Sequence, residues 1–471
     1  MTLKVQNEDE RAEYFKYPLT PEPASLFLDG KMRKANKHSL RNHLLKIDDG
    51  LTNPNCTVSV IDGGHLLYQT SWVNCGTYKD VVAGYLKHTQ SYLKNGEIWV
   101  VFDGYSHKDS TKTDAHMMRD SGKRSANVII QDGHMKLVGN KKDFLNNLNN
   151  KAQLIILLLT EYLRSAGIRV VQSSGDADVL TCKTALDLAN VGRPVEVSGT
   201  DTDLLIILMH HWKEGMEVYF RTRRTDKRKK KTEGKLMWWS IEQLVLMQPA
   251  RKFILFAHIW TGCDYTSAIH NQGKLKILNS LKLKEVQHLA QKFNAANAKQ
   301  DEIGFAGIQL MKIMFGGKES ESLTTLRHAK WEKAILLAND VDPATLPPSE
   351  RAAHFHSLRV YLEMRRSETL NIDCGLHPCD WGWRRISNVL HPIMTDIPAA
   401  PETLLSSIRC NCKSSSPKQC GTLLCTCRKN GWPCGRACGE CRGIDCKNPS
   451  VEYYKSDLED DGNIFSNLFS I

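Results

Sequence analysis

Long apolar runs are missing from these 471 residues. The longest block, Leu154 to Leu159, falls far short of the ~20 apolar residues that a bilayer-spanning helix needs. No membrane partner is expected. The first residues are charged and lack the apolar stretch of a secretory leader. No internal repeat is present, which sets aside solenoids and propellers. Cysteine is scarce over most of the chain: nine of the 15 fall between Cys410 and Cys446, and the other six are scattered. A secreted disulfide protein would spread its bridges through the fold. An intracellular, reducing compartment is expected instead, with a metal-binding module towards the C-terminus.

What is present suits a globular protein of two or three domains, with 41% hydrophobic and 24% charged residues. The net charge of +11 is unevenly placed. Arg221 to Lys235 holds nine basic and two acidic residues, and Arg409 to Lys447 holds eight and two. Val451 to Ile471 is acidic. Basic runs of this kind fit a polyanionic partner or a nuclear-import signal. For Arg221 to Lys235, a solvated hairpin tip is a third possibility.

Along the chain, 1–54 reads as a polar, basic lead-in with a short helix around Ser39 to Lys46. Short apolar strands then alternate with helices: Thr57 to Ile61, Ile98 to Phe102, Ile168 to Val171 and Val195 to Val197. Lys151 to Ala166 reads as a helix with Leu154, Leu157, Leu158 and Tyr162 on its apolar face, stopped by Gly167. Met216 to Phe220 and Leu236 to Trp239 read as a hairpin. The alternation predicts an α/β fold with a mostly parallel sheet covered on both faces. Residues 286–400 read as mainly helical and end in a proline-rich joint, with Trp381 and Trp383 as core residues. Cys374, His377 and Cys379 have zinc-like spacing without a fourth partner.

Ligands of such sheets bind beyond the carboxyl ends of the strands. Acidic residues stand at those ends: Asp62, Asp103, Asp176 with Asp178, and Asp201 with Asp203. Asp264 follows a further helix. Taken alone, Asp201 and Asp203 fit a solvated turn in which Asp203 caps the next helix. Seven acids in one crevice require divalent metal, because each charge raises the cost of ionising the others. Two Mg²⁺ or Mn²⁺ ions could then activate water and stabilise a leaving oxygen in phosphodiester hydrolysis.

Val60-Ile-Asp62, Val101-Phe-Asp-Gly104, Gly175-Asp-Ala-Asp178, Asp201-Thr-Asp-Leu-Leu205 and Gly262-Cys-Asp-Tyr265 occur in that order. Together they resemble the PIN-like domain of the flap endonuclease (XPG-type) nucleases over roughly 55–285. The resemblance implies a mixed α/β domain and Mg²⁺-dependent cleavage of branched or 5′-ended DNA. It implies that Asp62, Asp103, Asp176 and Asp178 hold one ion, and that Asp201, Asp203 and Asp264 surround a second. Aspartates stand at 176 and 178 where that family usually has glutamates. The glycine-rich DNA-gripping hairpin is altered in Ile269-His-Asn-Gln-Gly-Lys274, whose Lys274 is the candidate contact. Lys112, Arg119, Lys123 and Arg124 fall where the family carries a basic arch. The alternative is a catalytically inactive nucleic-acid-binding or regulatory protein on the same scaffold.

Within 405–450, Cys410, Cys412, Cys420, Cys425, Cys427, Cys434, Cys438, Cys441 and Cys446 follow a C-x-C-x7-C-x4-C-x-C-x6-C-x3-C-x2-C-x4-C spacing. Tetrahedral zinc takes four ligands. Nine thiolates fill two sites with one left over, or about three sites if three sulfurs bridge. The spacing resembles half of a tesmin-type CXC module, which implies a three-zinc cluster that binds DNA. Leu424 stands where that module has a tyrosine, and Arg428 and Lys429 are candidate phosphate contacts. The acidic tail, 451–471, completes the chain. A nuclear location is expected.

Overall fold

The computed structural model describes 12–46, 49–92, 96–104, 126–173, 177–224, 235–248, 251–318, 320–337, 341–371, 374–386, 389–405, 409–429, 432–435, 438–443 and 446–449. Two compact units are present: one of Leu26–Glu319 with Ala353–Ile393, the other of Met1–Ser25, Ser320–Ala352 and Met394–Ile471.

The first unit is built on a six-stranded sheet. Its strands are β1 (Val58–Asp62), β2 (Glu97–Phe102), β3 (Arg169–Gln172), β4 (Val195–Ser198), β5 (Val218–Arg224) and β6 (Lys235–Ser240). They lie in the order β3-β2-β1-β4-β5-β6, parallel except for the antiparallel β5–β6 hairpin. The mixed α/β class expected from the alternation is the one found. The central strands are almost wholly buried, with β4 inaccessible at every position and β1 at all but Asp62. Such strands need cover on both faces.

The elements that matter to the site are α1 (Lys37–Leu44), α2 (Gly63–Gln69), α3 (Tyr78–Gln90), α4 (Ala177–Asn190), α5 (Thr202–His211), α6 (Ile254–Trp260) and α7 (Lys274–Ser280). One core cluster joins Ile61 and Val100 of the sheet to Leu66, Tyr78, Val81 and Tyr85. Burying side chains of this size is worth roughly 1.5–3 kcal/mol each. The reversal from β1 into α2 depends on Gly63, where a Cβ would lie 2.3 Å from the Phe102 ring.

The helix expected over Lys151 to Ala166 is a composite: Leu148–Gln153, a π-turn over Leu154–Leu159, then Thr160–Ser165. The wider π-turn shifts the apolar face. Leu154, Ile155, Leu159 and Leu163 are buried, whereas Tyr162 is exposed. Gly167 ends the run at φ +81°.

The β5–β6 hairpin lies close to its expected place, but Arg221 does not belong to a solvated tip. Arg221 is buried, 2.7 Å from Glu196, and its guanidinium stacks 4.2 Å from the Tyr92 ring centre. Ser59 donates to the same Glu196 carboxylate at 2.8 Å. Residues 225–234, most of the basic run, lie outside the described residues. Trp381 and Trp383 are buried, as expected.

In the second unit Arg327 is buried with carbonyls for partners. Its Nε donates to Phe15 O at 3.0 Å and its Nη2 to Tyr17 O at 3.0 Å. No helix among the described residues is long and apolar enough to cross a membrane.

Candidate metal centre

Each strand exit delivers its carboxylate through a turn that the sequence can be seen to demand. Asp62 ends β1 and caps α2, its Oδ1 accepting from Gly64 N at 2.8 Å. Asp103 follows β2, and its Oδ1 accepts from Ala177 N, the first residue of α4, at 3.1 Å. Asp178 sits in the first turn of α4. Asp201 caps α5, accepting from Asp203 N at 3.1 Å. The capping role expected for Asp203 in a solvated turn therefore belongs to Asp201, and Asp203 lies buried within the helix. Asp264 follows α6 in a loop that Gly262 permits: its φ is +103°, and a Cβ there would meet the Ala268 backbone at 2.7 Å.

Five of these acids, Asp62, Asp103, Asp178, Asp201 and Asp264, line one crevice of about 640 Å³. Asp203 joins them through Lys37. Asp176 lies outside the described residues.

The crevice divides into two electrostatic halves. Around Asp62 the negative charge is poorly compensated. Burial, then the neighbouring Asp103, pushes the Asp62 carboxyl up to about 7, against hydrogen bonds from His65 and Gly64. Lys151 lies 4.0 Å from Asp103 Oδ2 and 5.9 Å from the Tyr68 ring centre. Oxygen donors carrying excess negative charge are what a hard divalent ion requires. Asp62, Asp103 and Asp178 thus fit one.

The other half carries its own cation. Lys37, the first residue of α1, places Nζ 2.9 Å from Asp203 Oδ2, 2.9 Å from Asp264 Oδ1 and 3.8 Å from Asp201 Oδ1. Burial alone would weaken its hold on the proton. The three carboxylates outweigh burial and keep it charged well above the usual lysine range. Asp203 also accepts from His258 Nε2 at 2.8 Å. Burial works to raise Asp203, but Lys37 and His258 hold it well below the usual carboxylate range. Burial and then Lys274 push His258 down to about 4, so the imidazole is neutral and donates. Burial and Asp203 raise Asp201 to about 6, with Lys37 only partly offsetting them. Three aspartates already sharing an ammonium are a poor fit to a second divalent ion.

Lys37, Lys151 and His258 are missing from any motif in the sequence. Lys37 stands in a polar lead-in 164 residues before Asp201, and only the packing of α1 against α5 and α7 brings it in.

Among the expected nucleic-acid contacts, Lys112, Arg119, Lys123 and Arg124 lie outside the described residues. Lys274 faces inward. It is buried, and its Nζ donates to His258 O at 2.8 Å and Gly262 O at 2.6 Å, so it braces the Asp264 loop. Arg428 is half-buried and donates to Cys420 O at 2.7 Å and to Lys447 O, within the cysteine module. Lys429 is exposed.

Eight of the nine clustered cysteines form three overlapping sets of four able to hold metal. The sets are Cys410, Cys420, Cys434 and Cys441; Cys410, Cys427, Cys434 and Cys438; and Cys410, Cys412, Cys420 and Cys425. Cys410 belongs to all three, and Cys420 and Cys434 to two each. Cys446 is buried beside them. Cys410 Sγ lies 3.7 Å from Cys420, 3.8 Å from Cys434 and 3.6 Å from Cys441. A zinc tetrahedron with Zn–S near 2.3 Å has edges of about 3.8 Å, whereas a disulfide would bring two sulfurs to about 2.05 Å. The spacing fits thiolates around shared ions.

No family model matches the chain, and no curated protein matches it in sequence. Among solved structures it is similar to the catalytic core of Rad2 in complex with a DNA substrate. That pair shares 12% identity over 79% of this chain and 93% of the other, at a TM-score of 0.37. It is also similar to the eukaryotic junction-resolving enzyme GEN-1 binding caesium (12%, 72% and 70%, TM-score 0.32). A third is the T5 D15 protein co-crystallised with metal ions (10%, 66% and 97%, TM-score 0.32).

Proposed function

We propose that this protein hydrolyses phosphodiester bonds of DNA, branched or 5′-ended, at the carboxylate crevice. The observation that carries this is the convergence of acids from four strand exits and the α6 loop on one open cleft. Asp62, Asp103 and Asp178 would hold Mg²⁺ or Mn²⁺. A bound divalent ion supplies Lewis-acid charge to a phosphate oxygen. Asp201, in contact range of Lys37 and pushed up to about 6, stands where a proton can be taken up or held. The order and spacing of the five acidic motifs support a flap-endonuclease-like activity in particular. The cysteine cluster, as a zinc module of CXC type, would add a DNA contact through Lys429, and the basic runs favour a nuclear location.

A second reading, a non-catalytic DNA-binding protein, is favoured by one feature. Lys37 already supplies a cation to the half of the crevice formed by Asp201, Asp203 and Asp264.

Incubating the purified chain with 5′-flap, nicked and single-stranded DNA and with RNA, with Mg²⁺ or Mn²⁺, separates the two readings. Cleavage that is lost in a folded Asp62→Asn/Asp103→Asn double variant supports hydrolysis. Binding without cleavage of any substrate supports the second reading.

A further inference from the structure

The crevice poses a counting problem. Six described aspartates face it or join it through Lys37, yet they do not share one environment. Beside Asp62, Asp103 and Asp178, Lys151 reaches Asp103 Oδ2 at 4.0 Å. Asp201, Asp203 and Asp264 surround an ammonium within 3.8 Å of all three and at 2.9 Å from two.

That ammonium is built into the fold. Lys37 begins α1, whose Leu40 and Leu44 are fully buried. Thr202 Oγ1 donates to Lys37 O at 3.3 Å, and Arg41 donates to Thr200 O, so α1 is tied to the turn that carries Asp201. Before the helix, Ala268 N donates to Arg33 O at 2.7 Å; after it, Trp239 Nε1 donates to Leu45 O at 3.1 Å. Anchors on both sides of one residue make a fixed post. A loose plug would have them on neither.

We infer that Lys37 serves as the resident cation of the Asp201–Asp203–Asp264 half, so that the crevice takes one divalent ion, at Asp62, Asp103 and Asp178. A lysine side chain is cationic at neutral pH and its three N–H donors can serve three carboxylates at once. A divalent ion entering the same space would lie within a few ångströms of that charge. That charge repels a divalent ion at such a distance, and it already occupies the carboxylate oxygens the ion would need, so the two compete for one space. Lys37 thus acts as a positioning residue that sets the metal count, an inference that rests on the crevice being a metal site at all.

The test counts bound ions directly. Mn²⁺ binding to the whole chain is followed by electron paramagnetic resonance of the free ion. Crevice ions are those lost in an Asp62→Asn/Asp203→Asn variant. The expected result is one crevice ion in the native chain and two in Lys37→Met, with Lys37→Arg remaining at one. Circular dichroism and thermal melting show whether each variant is folded, and Lys37→Gln provides a second neutral replacement. Two ions in the native chain, or one in both the native chain and a folded neutral variant, overturn the role of Lys37 while leaving the metal site standing. No crevice ion in any chain overturns both.

Discussion

Lys37 Nζ and Asp203 Oδ2 lie 2.9 Å apart in the folded chain, although 166 residues separate them in sequence. Asp203 also accepts from His258 at 2.8 Å, so one buried carboxylate holds two partners. Breaking such a pair from one side strands the other, at a cost of about 3 kcal/mol or more. Asp203→Ala is expected to lose roughly that much stability in urea denaturation. Removing both charges with Lys37→Met/Asp203→Leu should cost less than Asp203→Ala alone.

The Asp62 half predicts an unusual pH dependence. A carboxyl raised to about 7 in the folded chain, against about 4 unfolded, holds a proton that the unfolded chain has released. Its stabilising contribution is complete below pH 4 and is lost as the pH rises through 7. His65 and His258, both pushed down to about 4, act the opposite way, because their neutral folded forms gain relative stability as the pH rises towards 6.5. The Asp62 contribution is therefore read as a difference between chains: with Mg²⁺ and Mn²⁺ withheld, the native chain should lose stability relative to Asp62→Asn as the pH rises from 4 through 7, and added Mn²⁺ should reverse that loss.

Cys410 belongs to all three tetrahedral sets and Cys412 to one. Zinc measured by mass spectrometry on the full chain should be about three ions. Cys410→Ser is expected to empty most of the cluster, whereas Cys412→Ser should release about one ion. Equal losses from the two variants would contradict the shared arrangement.

Lys274 and Lys429 should separate bracing from binding. Lys274→Met strips the donors from two buried carbonyls and is expected to cost about 2 kcal/mol, with the salt dependence of DNA binding unchanged. Lys429→Ala should leave the melting curve in place and reduce the slope of log affinity against log salt by about one.

Much of the sheet was legible because strand and helix punctuation is local: Asp62, Asp103 and Asp201 each end or follow an apolar strand, and Asp62 and Asp201 go on to cap a helix. The cysteine module was legible for the same reason, since its ligands recur within a few residues. The site's own cations were not. Lys37 and Lys151 occupy ordinary polar positions, and only tertiary packing turns them towards the acids. Lys274 and Arg221 misled in the opposite direction. Each sits in a basic or phosphate-contact context by sequence, and each is buried because a carbonyl cage or Glu196 compensates it. The π-turn at Leu154–Leu159 explains why Tyr162 left the apolar face: a periodicity of 3.6 cannot foresee a widened turn.

The most direct test of a metal-dependent catalytic crevice is 5′-flap cleavage by the native chain and by Asp62→Asn in Mn²⁺, at protein concentrations that saturate DNA binding in both. A metal-dependent crevice predicts cleavage by the native chain, reduced by at least about two orders of magnitude in Asp62→Asn, with DNA affinity retained. Equal cleavage by the two chains, or none by either, would contradict it.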